Sequence, residues 1–187
     1  MDSRDTQAYK LKRAAGVYNS LPNLLWSVLA FVPLYICCYT LLDRNLLLIF
    51  LVGSLFTIFL PQAFFHYIQL GETPAIYKKA GVPFVGRFTQ NGQIINGLLR
   101  KRFPRHRVVS GSKESADRLF RQTFMYEKFH FMLFTFFSLV LIYALAKGYM
   151  GWALLLLLIN ILYNVYPCLL QQYIRLRLTP FMRRNSL

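Results

Sequence analysis

The chain has 187 residues, with 22 Lys and Arg against 7 Asp and Glu, and 56% of it is apolar or aromatic. A soluble domain averages about 45–50% apolar and about 25% charged residues, so a chain that is 16% charged is displaced toward membrane proteins. An aromatic content of 17% excludes disorder, and only three cysteines, Cys37, Cys38 and Cys168, all within apolar blocks, exclude a disulfide scaffold.

Residues 1–23 form a polar lead carrying Arg4, Lys10, Lys12 and Arg13. This lead is too long for a signal peptide and no small-residue cleavage site follows the next apolar stretch, so that stretch is expected to stay in the mature protein. Crossing a hydrocarbon core of about 30 Å at a rise of 1.5 Å per residue takes about 20 mostly apolar residues. Four blocks meet that length: 24–42, 45–65, 129–146 and 148–174, and their one ionisable group apart from cysteine and tyrosine is His130. The fold class expected is all-α, a single polytopic membrane domain of four transmembrane helices, kinked at Pro33, Pro61 and Pro167. The lead, the segment between the second and third blocks, and the tail hold all the Lys and Arg except Arg44 and Lys147, which lie in the two tight turns. The positive-inside rule then predicts a multi-pass protein of the cell membrane with both termini and the central segment cytoplasmic.

The central segment, 66–127, has 11 Lys and Arg against 4 acids, a balance that suits a membrane surface better than a buried core. Thr73 and Pro74 read as N-cap and first helical position and Gly81 as a left-handed stop, predicting a helix over 75–80. Ile94, Ile95, Leu98, Leu99 and Phe103 recur at helical spacing with Arg100, Lys101 and Arg102 off the stripe, the pattern of an interfacial helix ended by Pro104. A third helix is expected after Ser112, with Glu114 and Asp117 in its first turns, running into the third block. The Arg100, Lys101, Arg102, Arg105 and Arg107 cluster, with His106 as a solvated loop residue inside it, sits between spans. Attraction of about 1 kcal/mol per basic residue to anionic headgroups makes membrane lipid its expected partner, not nucleic acid.

Two polar constellations lie where polarity is costly. At about 100° per residue, Asn160, Asn164, Gln171 and Arg175 form one stripe on the fourth block. Such a stripe faces other helices; it serves interhelical hydrogen bonding or a site. In the third block Glu127 and His130, three apart, are neighbours on one helical face, so the carboxylate can orient the imidazole. Histidine titrates nearest neutrality and is a natural base for a hydroxyl nucleophile; the alternative is an interfacial anchor with Glu127 paired to Lys128 or Arg121. His66, flanked by Gln62 and Gln69, makes a further polar face at the same edge. No acid follows Glu127, so the tail arginines are expected to meet phosphates or carbonyls. No metal-ligand spacing, glycine-rich phosphate loop or nucleophile elbow occurs, and no metal is expected.

The Glu127-Lys-Phe-His130 element and the run from Asn164 through Val-Tyr-Pro167-Cys-Leu-Leu-Gln171-Gln-Tyr173-Ile-Arg175-Leu-Arg177-Leu178 together resemble the glycosyl-4,4'-diaponeurosporenoate acyltransferase family of carotenoid biosynthesis, over about 123–178. The resemblance implies transfer of an acyl group to a sugar hydroxyl of a glycosylated carotenoid. On that footing the expected enzyme takes an acyl thioester, acyl-CoA or acyl-carrier protein, as donor substrate and needs no further cofactor. His130 is the expected base and Glu127 its orienting carboxylate. Asn164 and Gln171 would stabilise the oxyanion, and Arg175 and Arg177, with Tyr173 beside them, would hold a donor or headgroup phosphate. The competing expectation is a noncatalytic lipid-binding or scaffold subunit whose polar stripe only joins helices.

Overall fold

The computed structural model describes residues 3–89, 92–103 and 113–184, all-helical with no strand among them. Arg105, His106, Arg107, Ser112 and Ser186 lie outside the described residues.

Helix α1 (Ser3–Leu41) absorbs the polar lead and the first apolar block in one run of 39 residues, continuous through Pro22 and Pro33. Asp43 caps α2 (Arg44–Leu55), accepting the Leu46 N–H at 2.9 Å, which satisfies one of the amides a helix start leaves open. A 3₁₀ turn, Phe56–Phe59, follows, and there the second expected span stops. Leu60 is extended (φ −58°, ψ 133°) because the ring of Pro61 excludes the α region for the residue before it. Helix α3 (Gln62–Tyr67) then starts afresh. Pro61 thus breaks the 45–65 block where a kink was expected. The piece Arg44–Phe59, 12 α-helical and 4 3₁₀ residues, rises about 26 Å, short of a full hydrocarbon core.

The central segment folds into short helices. Helix α4 (Pro74–Lys79) begins after Thr73, and Gly81, at φ 75°, supplies the left-handed residue that L side chains avoid. Then come α5 (Val82–Val85), a 3₁₀ turn Gly86–Phe88 and α6 (Gln93–Arg102). Gly92 sits so close to three carbonyls that a Cβ would lie 2.4 Å from Gly86 O and 2.6 Å from Arg87 O, so no larger residue fits there. Helix α6 buries Ile95 and Leu99 and packs on α1, whereas Ile94 and Leu98 of the same stripe stay exposed.

Helix α7 (Lys113–Ala146) runs from the central segment through the third apolar block, and Gly148 turns the chain into α8 (Met150–Asn160). A single π turn, Ile161–Val165, joins α8 to α9 (Tyr166–Arg184). Among the described residues, three helical stretches are long and apolar enough to cross a bilayer: Tyr9–Leu41, Glu114–Ala146 and Met150–Met182. Only 22–28% of each apolar window is buried inside the protein, so most of its apolar surface faces outward, as lipid-exposed helices do. The core is Ala30, Leu34 and Cys37 of α1 against Phe137 and Val140 of α7 and Leu156 of α8. A second cluster, Tyr77, Val82 and Tyr173, fastens α4 and α5 onto α9.

Candidate functional site

Helices α7 and α9 share an extensive interface, and four of the buried polar residues among those described, Thr123, Glu127, Gln172 and Arg175, lie on these two helices. Glu127 of α7 is wholly buried. Its Oε1 accepts the Gln172 amide at 2.7 Å and its Oε2 pairs with Arg175 Nη1, itself 3% exposed. Gln172 Oε1 in turn accepts the Tyr77 hydroxyl at 3.0 Å and the Leu70 amide at 3.2 Å. Tyr77 also reaches Gly71 O at 3.2 Å, and burial lifts its phenol above the ordinary value, which keeps the hydroxyl protonated as a donor. A carboxylate, an amide, a phenol and a guanidinium thus bind three separate stretches of chain into one desolvated network, the condition under which buried charge is tolerated.

This geometry corrects two expectations. Glu127 does not orient His130: its carboxylate is turned to α9. Nor do all the tail arginines depend on phosphates or carbonyls, because Arg175 finds its acid on α7. Of the other expected phosphate ligand, Arg177, the guanidinium is exposed and lies 5.8 Å from the buried Tyr173 ring. Lys128, the alternative partner of Glu127, donates to Ile58 O at 3.2 Å instead.

The polar stripe of the fourth block is present but shifted. Asn164 donates to Asn160 Oδ1 at 2.8 Å, and Asn160 bonds Ser138 Oγ at 3.1 Å on α7, both asparagines being buried. The π turn, which contains Asn164, inserts one residue, so each residue after it takes the angular place its predecessor would hold in a plain α-helix. Gln172 therefore occupies the place expected of Gln171, which is only half-buried. Pro167 was the available signal: it has no N–H for the carbonyl four residues back, and the π turn lies just before it. Tyr77, missed as well, had no such signal, because its contact with α9 is long-range.

His130 sits one turn beyond Glu127, half-buried, with the Tyr163 ring 5.8 Å away and the Asn164 side chain and Tyr163 backbone as polar neighbours. Its Nδ1 and Asn164 Oδ1 have no aligned hydrogen-bond partner among the described residues. Tyr163 itself reaches Ser27 of α1 at 3.2 Å.

On the other side of the buried network lies a cleft of ≈ 180 Å³, lined by His66, Gln69, Glu72, Phe120, Arg175, Leu176 and Thr179. Phe124 brings its two charged or basic walls together: the Arg175 guanidinium lies 4.1 Å over its ring and the His66 ring packs edge-on at 5.3 Å. Arg175 Nε and Nη2 have no hydrogen-bond partner among the described residues, although the side chain is almost fully buried. The cleft therefore sets an exposed imidazole against the side chain of a buried arginine whose Nε and Nη2 are unpaired among the described residues. No cluster of three or more His, Cys, Asp or Glu suited to a metal occurs among the described residues.

Comparison with curated proteins and with solved structures finds no match. Comparison with family models matches residues 61–184, which include the cleft, the buried network and His130. With two thirds of its length inside that match, the chain belongs to the glycosyl-4,4'-diaponeurosporenoate acyltransferase family.

Proposed function

We propose that this protein transfers an acyl group from an acyl thioester to a hydroxyl of a glycosylated, carotenoid-like lipid, at the cleft between α3, α7 and α9. The observation that carries the reading is the meeting of His66 and the unpartnered Arg175 N–H groups in one cleft of the family-matched region. His66 takes the hydroxyl proton as the oxygen attacks the thioester carbon. The C–S bond then breaks, and the thiolate recovers the proton from the imidazolium. Acyl-CoA or acyl-carrier protein serves as donor substrate, and Arg177, exposed on α9, meets a donor or headgroup phosphate. This transfer draws on no metal or organic cofactor.

The protein is proposed to be a multi-pass component of the cell membrane with both termini cytoplasmic. The Arg44–Phe59 helix makes a fourth, shorter crossing, and α6 rests on anionic headgroups through Arg100, Lys101 and Arg102. A second reading keeps His130 as base, because its Nδ1 is open and Asn164 stands beside it in the orienting role expected of Glu127. The test is transfer of labelled acyl groups from acyl-CoA to a lipid extract by protein in nanodiscs. Loss in His66→Ala supports the cleft, loss only in His130→Ala supports the second reading, and no transfer by the unaltered protein leaves a noncatalytic scaffold.

A further inference from the structure

We infer that Phe84 and Phe88 form an aromatic wedge that enters the acyl-chain edge of the leaflet on the side of the central segment. The inference rests on the membrane reading but not on acyl transfer, and it goes beyond the headgroup contact of α6. The two rings are 60% and 45% exposed, stand edge to face at 5.5 Å and project from α5 and the 3₁₀ turn after it. Their base is packed. Val82, at the start of α5, is fully buried and clusters with Tyr77 and Tyr173. Gly86 approaches α9 so closely that a Cβ would lie 3.1 Å from Leu170, and the Thr89 hydroxyl closes the turn on Gly86 O at 3.0 Å. The rings are therefore held outward, and their apolar area is left for an external partner.

Depth points to lipid as that partner. Trp26 Nε1 donates to Phe88 O at 3.2 Å, which pins the turn to α1. From Trp26 to Leu41, where α1 ends before Asp43 and Arg44, the helix rises roughly 22 Å at 1.5 Å per residue. A hydrocarbon core is about 30 Å thick. With the Asp43 turn at one interface, Trp26 and the Phe88 carbonyl therefore lie at the hydrocarbon edge of the other, the level that tryptophan favours. Charge agrees with depth. No Asp or Glu occurs between Glu72 and Glu114, whereas Lys78, Lys79 and Arg87 are all exposed. The Arg87 guanidinium lies 5.8 Å from the Phe84 ring, and its long stem lets the charge stay with headgroup phosphates while the rings enter the chains. An apolar tip with a basic collar is the composition of a surface that sits in a leaflet.

Both side chains are exposed, and only the backbone carbonyl of Phe88 serves Trp26, so replacing either ring leaves the fold in place. The experiment uses the full-length chain with Cys37→Ala, Cys38→Ala and Cys168→Ala, in nanodiscs containing anionic lipid. One nitroxide is attached at Phe84→Cys, Phe88→Cys, Leu154→Cys or Lys78→Cys. Power-saturation electron paramagnetic resonance then compares collision with oxygen, which concentrates among acyl chains, and with a neutral nickel chelate, which stays in water. Labels at Phe84 and Phe88 should favour oxygen, as should the label at Leu154, an exposed apolar position of α8, whereas the label at Lys78 should favour nickel. Added salt should leave the preference at Phe84 unchanged, because the contact there is apolar and not screened. Nickel preference at Phe84 and Phe88 with oxygen preference at Leu154 would overturn the wedge alone. Nickel preference at all of these positions would overturn the membrane reading with it. Shielding of Phe84 and Phe88 from both reagents would give the surface to another protein chain and likewise overturn the wedge.

Discussion

The carboxylate of Glu127 and the guanidinium of Arg175 form an ion pair between α7 and α9 with the two side chains 0% and 3% exposed. Removing one partner strands the other charge in a dry interior, at a cost of about 3–5 kcal/mol, whereas replacing both with uncharged groups of similar size is far milder. Glu127→Ala is therefore expected to lower the unfolding temperature sharply or to prevent accumulation. Glu127→Gln combined with Arg175→Met should regain most of that loss. A single variant that melts with the wild type would show the pair to be inconsequential.

The two adjacent glutamines should behave unequally. Gln172→Ala removes a hydrogen bond to a charged group and is expected to cost about 1.5–3 kcal/mol of stability. Gln171→Ala should fall within about 0.5 kcal/mol of the wild type, as substitutions outside such networks do. Denaturant unfolding in detergent measures both, and equal effects would contradict the shift in register produced by the π turn.

Removal of a general base typically lowers turnover by about 10² to 10⁴. His66→Ala should show that loss with near-normal protein levels, and His130→Ala should fall by much less. Single-turnover assays that reverse this order would move the chemistry to the His130 and Asn164 pair.

Membrane sidedness is checked by cysteine labelling in a chain carrying Cys37→Ala, Cys38→Ala and Cys168→Ala. Asn45→Cys and Gly148→Cys should react from outside intact cells and Lys101→Cys only after permeabilisation. Reaction of the Lys101→Cys protein from outside would invert the proposed orientation.

Neutralising Arg100, Lys101 and Arg102 with glutamine should weaken docking of α6 on anionic vesicles, by on the order of 1 kcal/mol per residue, while the apolar helices keep the protein membrane-bound. Protease protection of α6 that is the same in anionic and neutral vesicles would refute an electrostatic contact.

What was legible in the sequence followed local rules. Three of the four apolar blocks, the Pro74 start and the Gly81 stop depend on composition or on one dihedral, and each appears near its expected place, whereas the 45–65 block is broken at Pro61. Asn160 and Asn164 were readable as facing other helices because polarity inside an apolar block demands partners, whereas the burial of Glu127 and Arg175, expected at the membrane edge and in the basic tail, was not. Their partners were not readable: pairing of Glu127 with Arg175 rather than orientation of His130 depends on how α7 and α9 approach. The choice of Gln172 over Gln171 depends on an inserted residue that a fixed helical period does not contain. The long reach of Tyr77 to Gln172 is a property of tertiary packing alone.

The interruption at Leu60 and Pro61 sets a mechanical boundary. A helix transmits twist and axial displacement through its continuous ladder of hydrogen bonds, and that ladder ends at Phe59. The family match begins at residue 61, on the far side of the gap. A rotation or tilt of the Arg44–Phe59 helix is thus not carried into α3 along a backbone hydrogen-bond ladder. The two pieces communicate through side chains instead, as where Lys128 of α7 reaches back to Ile58 O.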